Sequence, residues 1–183
     1  MSILEILAFI TALTGVVLGV FGNRITWPWW GAGSFLYAYL FFQSGYYASA
    51  ALQFVFIAGG IWGWFGWGPK GAKPRKSSTK ERITLILAFA LASLALWPVL
   101  VSIGASSTVI ESFGFVGSVI AQLFMIWQRF EAWPLWVIVN IGYTYQYFMG
   151  ELYLTSFLYV VFLVVAIWGW IRWQRESEKY KVD

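Results

Sequence analysis

The sequence predicts an all-α integral membrane protein. Its seven transmembrane helices are expected to form two parallel three-helix repeats around a linker helix, a 3+1+3 plan with the N-terminus outside and the C-terminus cytoplasmic. Three observations carry that expectation. Residues 5–67 reappear without a gap as 111–173: an offset of 106 takes Trp27, Pro28, Trp30, Tyr37, Tyr39, Phe42 and Tyr47 onto Trp133, Pro134, Trp136, Tyr143, Tyr145, Phe148 and Tyr153. The run Ile61-Trp62-Gly63-Trp64 likewise recurs as Ile167-Trp168-Gly169-Trp170. Of the 183 residues, 60% are hydrophobic, 21% aromatic and only 11% charged, far more apolar than a soluble domain of this length. The third observation is where the basic residues fall.

Apolar stretches at 3–22, 27–43, 46–67, 83–103, 109–127, 133–148 and 153–173 are the helices, measured against roughly 30 Å of hydrocarbon. The second and sixth are short, and a hydropathy window could merge them with a neighbour, so the number seven needs an independent check. Lys and Arg supply it, because they concentrate in cytoplasmic loops. With the N-terminus outside, the loop after the first helix holds Arg24, and the loop after the third holds Lys70, Lys73, Arg75, Lys76, Lys80 and Arg82. The loop after the fifth holds Arg129, and the tail holds Arg172, Arg175, Lys179 and Lys181, which accounts for all 12 basic residues. Glu5, Glu111 and Glu151 then lie near the outer face.

Three helices are an odd number, so two copies joined directly would insert upside down relative to each other. A linker helix restores the parallel relation. The chain therefore divides into a first repeat (1–67), a basic cytoplasmic linker (68–82), a linker transmembrane helix (83–104), a second repeat (105–173) and a cytoplasmic tail (174–183). Pro98 inside the linker helix reads as a kink satisfied by its neighbours. The first helix lacks a basic flank and a small-residue cleavage site, and is expected to be retained. The net charge of +4 reflects topology: the linker is a solvated segment beside anionic headgroups, and no nucleic-acid partner is expected.

Polar residues inside a bilayer are costly unless they face a partner or a water-filled path. On the sixth helix, Trp136, Asn140, Tyr143 and Tyr147 share one face, and their repeat mates on the second are Trp30, Ser34, Tyr37 and Phe41. Ser49, Gln53, Phe56 and Gly60 form a stripe on the third helix, matched on the seventh by Thr155, Tyr159, Phe162 and Ala166; Ser118, Gln122 and Met125 add a stripe on the fifth. A lining of amides, hydroxyls and aromatic faces suits a flat, hydrogen-bonding solute. A positively charged ring would gain about 0.5–2 kcal/mol per aromatic contact. The competing structural role for any one amide is helix–helix glue, at about 0.6 kcal/mol per bond. The candidate substrate-binding set is Gln53, Asn140, Gln122, Trp136, Tyr143, Tyr37, Ser34 and Tyr147. Trp62, Trp64, Trp67, Trp168, Trp170 and Trp173 read as an interfacial belt. Gly59, Gly60 and Gly63 read as points of close helix contact.

His and Cys are absent and no paired acidic residues share a helix core, so neither a catalytic constellation nor a metal or cofactor site is expected. The sequence also predicts no buried acidic residue within a helix core that could relay protons.

At these residues the sequence resembles the PnuC-type vitamin transporters. The resemblance lies in Leu36-Tyr37 through Phe41-Phe42, Tyr47-Ala48-Ser49 with Leu52-Gln53 and the Gly-Trp end of the third helix, Gln122, Arg129-Phe130-Glu131-Ala132-Trp133, and Trp136-Val137-Ile138-Val139-Asn140. It implies a 3+1+3 bundle in the cell's inner membrane, facilitated diffusion of an unphosphorylated vitamin, trapping by a cytoplasmic kinase, and a homotrimer as the possible assembly. It also implies substrate contact for Gln53 and Asn140. The family carries nicotinamide riboside, and relatives carry thiamine or riboflavin. Ser34 stands where some nicotinamide riboside carriers have asparagine, and Trp127-Gln128 departs from the usual stretch before the loop arginine. The leading expectation is a nicotinamide riboside carrier, with thiamine as the alternative, since both present a cationic ring and hydroxyls. A membrane subunit that binds a protein partner through its aromatic surface is the alternative from another class. An ion channel is disfavoured by the lack of a charged ring.

Overall fold

A computed structural model describes residues 3–104 and 108–179. Seven helices run through them: α1 (Ile3–Val20), α2 (Thr26–Gln43), α3 (Tyr47–Trp67), α4 (Thr79–Ser102), α5 (Thr108–Ile126), α6 (Ala132–Met149) and α7 (Tyr153–Ser177). Five of these, α1, α3, α4, α5 and α7, are each long and apolar enough to cross a membrane. The other two, α2 and α6, carry the polar stripe. Each lies between two helices of its own triplet, α2 against α1 and α3, α6 against α5 and α7.

The helix bounds recur at the 106-residue offset, α2 onto α6 at both ends. The turns recur bond for bond. Asn23 N–H donates to Leu18 O at 3.1 Å and Arg129 N–H to Phe124 O at 2.8 Å, closing the α1–α2 and α5–α6 turns alike. Each of these turns needs a left-handed residue, which is Gly22 (φ 66) in one and Gln128 (φ 60) in the other. The α2–α3 and α6–α7 turns match in the same way, with Gly45 (φ 77) and Glu151 (φ 59) at equivalent places.

Within a triplet the helices approach through small residues. A Cβ on Gly15 would come to 2.9 Å of the Trp30 amide nitrogen, so α1 and α2 meet nearly backbone to backbone there. Gly63 and its mate Gly169 do something different: each leaves room for an indole, that of Trp27 and Trp133 respectively. Between triplets, α3 packs on α5 and α7 packs on α1, so the two groups close on each other as a ring. Trp67 Nε1–H donates to Met125 O and Trp173 Nε1–H to Val20 O, both at 3.1 Å, so equivalent tryptophans tie the two seams through acceptors one residue apart in the repeat. Trp67 and Trp173 are therefore core residues, contrary to the interfacial belt expected of them, because an indole N–H that finds a backbone carbonyl has no need of the interface.

The α4 helix stands beside the ring against α5, with most of its apolar surface exposed. It begins at Thr79, where Ser78 and Glu81 form a reciprocal cap. Ser112 Oγ donates to Ser93 O at 2.6 Å and pins it to α5. The linker ahead of it is tied down: Arg75 N–H donates to Gln128 O at 2.8 Å and Phe130 N–H returns to Arg75 O at 3.1 Å. Glu131 accepts from Ser77 N–H, Ser77 Oγ and Arg82, and Arg129 pairs with Glu81 at 2.7 Å. These contacts gather the loops after α1, α3 and α5 and the end of α7 at one basic end of the bundle.

Gly63→Leu or Gly169→Leu would drive an aliphatic side chain into a buried indole and should lower the stability of the detergent-purified protein by about 1–3 kcal/mol or more. Gly31→Ala meets nothing within 4 Å in the middle of α2, and should be neutral or stabilising by up to ~1 kcal/mol. Thermal unfolding of the three variants beside wild type checks the contrast.

Candidate functional site

Three pairs of rings separated by 106 residues touch each other among the described residues: Trp67 with Trp173 at 5.7 Å between centroids, Trp30 with Trp136 at 5.6 Å, and Phe41 with Tyr147 at 5.0 Å. Repeat-related residues can meet only where the two triplets face each other, so the pairs trace the central seam from the basic end to the far end. The Phe41–Tyr147 pair is a near-parallel stack, with 8° between planes.

A cavity of about 60 Å³ lies around the middle pair. Trp30, Gly33, Ser34 and Tyr37 of α2 line one side; Trp133, Trp136 and Asn140 of α6 line the other. Gln53 and Phe56 of α3, Tyr159, Phe162 and Ala166 of α7, and Ala12 and Val16 of α1 complete it. Phe56 meets Trp30 at 6.0 Å and Trp136 at 5.8 Å, both edge-on, so three aromatic rings frame the space. Toward the basic end it is closed by Trp133, which meets Trp173 at 5.6 Å, and by the Trp67–Trp173 pair. Toward the far end Tyr159 lies against Tyr143 at 5.4 Å and Tyr147 at 5.1 Å.

The polar groups of this lining are under-used. The side-chain amide of Asn140 makes no hydrogen bond among the described residues, although its backbone carbonyl accepts from Thr144 Oγ1 at 2.7 Å. Gln53 Nε2–H donates to Ser49 O of its own helix at 3.3 Å, leaving its carbonyl oxygen free. Trp136 Nε1–H is buried without a partner. Donors and acceptors without a protein partner beside aromatic faces are available to a solute.

Of the residues expected from sequence, Ser34, Tyr37, Gln53, Trp136 and Asn140 come together here. The other three lie elsewhere. Gln122 packs over Gly59 at the α3–α5 seam, and both of its amide atoms lack partners. Tyr143 leans over Gly114 of α5. Tyr147 stacks between Phe41 and Tyr143, and its hydroxyl donates to Ser49 Oγ at 3.0 Å. Tyr159, Trp30, Phe56 and Phe162 belong to the lining without being among the expected set. The signal for them is the repeat, since Tyr159 is the mate of Gln53 and Trp30 that of Trp136.

Glu111 is a residue to which the sequence pattern assigns no role. It lies in the first turn of α5, at the end of the bundle away from the basic loops, and there it is 0% exposed. Ser49 Oγ donates to its Oε1 at 3.3 Å, and Oε2 has no partner.

The family described as "Nicotinamide mononucleotide transporter" matches residues 2–175. The chain belongs to this family. Membership bears out the resemblance to PnuC-type carriers and, together with the apolar helices, makes the chain a multi-pass protein of the inner membrane. Among relatives, the nicotinamide riboside transporter PnuC of Escherichia coli (strain K12) is 24% identical over 175 residues, covering 77% of this chain and 73% of the relative. The riboflavin/roseoflavin transporter RibM of Streptomyces davaonensis is 25% identical over 196 residues, covering 92% of this chain and 84% of the relative. The fold matches a crystal structure described as the vitamin B3 transporter PnuC with a TM-score of 0.84 at 20% identity, over 97% of this chain and 83% of that one.

Tyr147→Phe keeps the stack and removes one hydrogen bond, so it should cost about 0.5–1.5 kcal/mol. Tyr147→Ala removes a fully buried ring from between two others and should cost ~3–5 kcal/mol. Thermal unfolding of the two variants checks whether the ring or the hydroxyl contributes more to stability.

Proposed function

We propose that the chain carries nicotinamide riboside across the inner membrane by facilitated diffusion, with a cytoplasmic kinase trapping the vitamin by phosphorylation. The observation that carries this reading is the cavity at the seam, lined by the side-chain amide of Asn140 and by Gln53, whose carbonyl oxygen is free, together with the rings of Trp30, Trp136 and Phe56. A cationic nicotinamide ring would lie between the aromatic faces, and the amides would take its carboxamide or the ribose hydroxyls. The nicotinamide riboside transporter among the relatives supports the same choice.

At about 60 Å³ the cavity is well below the ~300 Å³ of an ordinary ligand site, so loading requires the Trp30–Trp136 pair to separate. Ring pairs close the seam on both sides of the cavity, as expected of an occluded state between inward and outward openings. Rocking of the two triplets would open the ring pairs in turn, first at one end of the seam and then at the other. The basic end faces the cytoplasm in this reading, which puts the N-terminus outside. A thiamine carrier would use the same lining. A riboflavin carrier is the reading favoured by the RibM relative, and it would need a wider opening.

Asn140→Leu and Gln53→Leu should each reduce nicotinamide riboside uptake about tenfold, as expected when a buried polar group of the solute is left without its partner (~1–3 kcal/mol), while the protein stays in the membrane. Uptake of nicotinamide riboside, thiamine and riboflavin, each measured separately in cells expressing wild type and variants, checks this. Normal uptake in both variants would remove the site assignment, and transport of thiamine or riboflavin alone would change the vitamin. The chain has no cysteine, so Lys76→Cys and Glu151→Cys test orientation. An impermeant maleimide added to intact cells should label the second and not the first.

A further inference from the structure

We propose that Glu111 is a cation-recognition group on the far-end approach to the cavity, which selects a positively charged ring over a neutral one before the ring reaches Trp30 and Trp136. The inference rests on the vitamin-carrier reading and adds a residue and a selection step to it.

A glutamate side chain within the membrane-spanning bundle is expensive to bury, and this one is buried with a single 3.3 Å bond from Ser49 Oγ and a free Oε2. No Lys or Arg of the described chain forms an ion pair with it. Two connections place it on the route. Ser49 lies one turn along α3 from cavity-lining Gln53, whose amide it accepts through its backbone carbonyl. Tyr147, which closes the far end by stacking on Phe41, donates its hydroxyl to the same Ser49 Oγ. Glu111 is thus latched, through Ser49, to the ring that must move for the far end to open.

When Phe41 and Tyr147 separate, Tyr147 leaves Ser49 and water reaches Glu111. A hydrated carboxylate beside tyrosine rings attracts an organic cation through charge and through the ring faces, and gives nothing comparable to a neutral solute of the same shape. Tyr46 and Tyr143 pack on Tyr147, at 5.4 Å and 5.6 Å between centroids, and supply further rings at this end. The cavity itself is lined by uncharged residues, so the only charge preference there comes from its ring faces, and a carboxylate on the approach adds a full opposite charge. Recognition of charge and recognition of shape would then occur one after the other along the seam.

The test compares nicotinamide riboside with its reduced, uncharged form in vesicles containing reconstituted protein. Glu111→Gln keeps size and hydrogen-bonding capacity and removes the charge. It should raise KM for the cation about tenfold or more while shifting that of the neutral form less than about twofold, with maximal rates retained. Equal shifts for both compounds, or none for either, overturn the proposal. A merely structural role would affect both alike. If the Gln variant is lost from the membrane, Glu111→Asp decides: weaker uptake of the cation alone supports the proposal, and equal weakening of both overturns it. Wild-type protein that carries neither compound overturns the vitamin reading and this inference together, whereas wild-type transport with unchanged variant selectivity overturns the inference alone.

Discussion

The contact between Trp30 and Trp136 is the interaction on which the site depends. Each indole stands at the same place in its own repeat, and the two meet because a duplicated triplet facing its copy brings equivalent residues together along the seam. The same constraint pairs Trp67 with Trp173 and Phe41 with Tyr147. Duplication alone would make a symmetric tunnel. Substitution at two mates makes it a polar site: Asn140 stands where the other repeat has Ser34, and Tyr159 where it has Gln53. The cavity therefore has aromatic symmetry and polar asymmetry, which suits a ligand whose ring is flat and whose hydrogen-bonding groups lie to one side.

The helices that carry this chemistry are the ones least able to live in lipid. The polar stripes of α2 and α6 keep both out of the set apolar enough to span a membrane unaided, and each is shielded between two neighbours of its triplet. Small residues make that shielding close: Gly15 lets the α1 backbone meet α2, and Gly63 and Gly169 accept the indoles of Trp27 and Trp133. Apolar helices outside and polar stripes inside is the distribution that a bilayer imposes on a protein with a water-soluble cargo. At the basic end the linker is held to the α5–α6 loop by backbone bonds and by Glu131. The loop between the halves is therefore a built element whose breakage would loosen α4 and α6 together.

Much of this was legible in the sequence because the repeat constrains it twice. The offset of 106 predicts equal helix bounds, and α2 and α6 obey it at both ends. Helical spacing on α2, α3 and α6 was enough to bring Ser34, Tyr37, Gln53, Trp136 and Asn140 to one cavity. What spacing does not encode is depth and rotation. Tyr143 and Tyr147 share the α6 face with Asn140 but lie beyond the cavity, and Gln122 faces Gly59 at a helix seam. Trp67 and Trp173 have the residue type and end position of belt tryptophans, and only the carbonyls of Met125 and Val20, distant in sequence, explain their burial. The burial of Glu111 was hidden for a related reason: a residue in a first helical turn looks exposed until another helix, here α3 with Ser49, packs against it. Left-handed backbone at Gln128 and Glu151 is invisible in their side chains, but their mates Gly22 and Gly45 point to it.

The most direct test of the account is a structure of the protein determined with nicotinamide riboside present. The account predicts the nicotinamide ring between Trp30 and Trp136, which must have moved apart, with the amides of Gln53 and Asn140 in hydrogen-bond range of the vitamin. Trp30 and Trp136 still in contact, with the vitamin bound elsewhere on the protein, would contradict it.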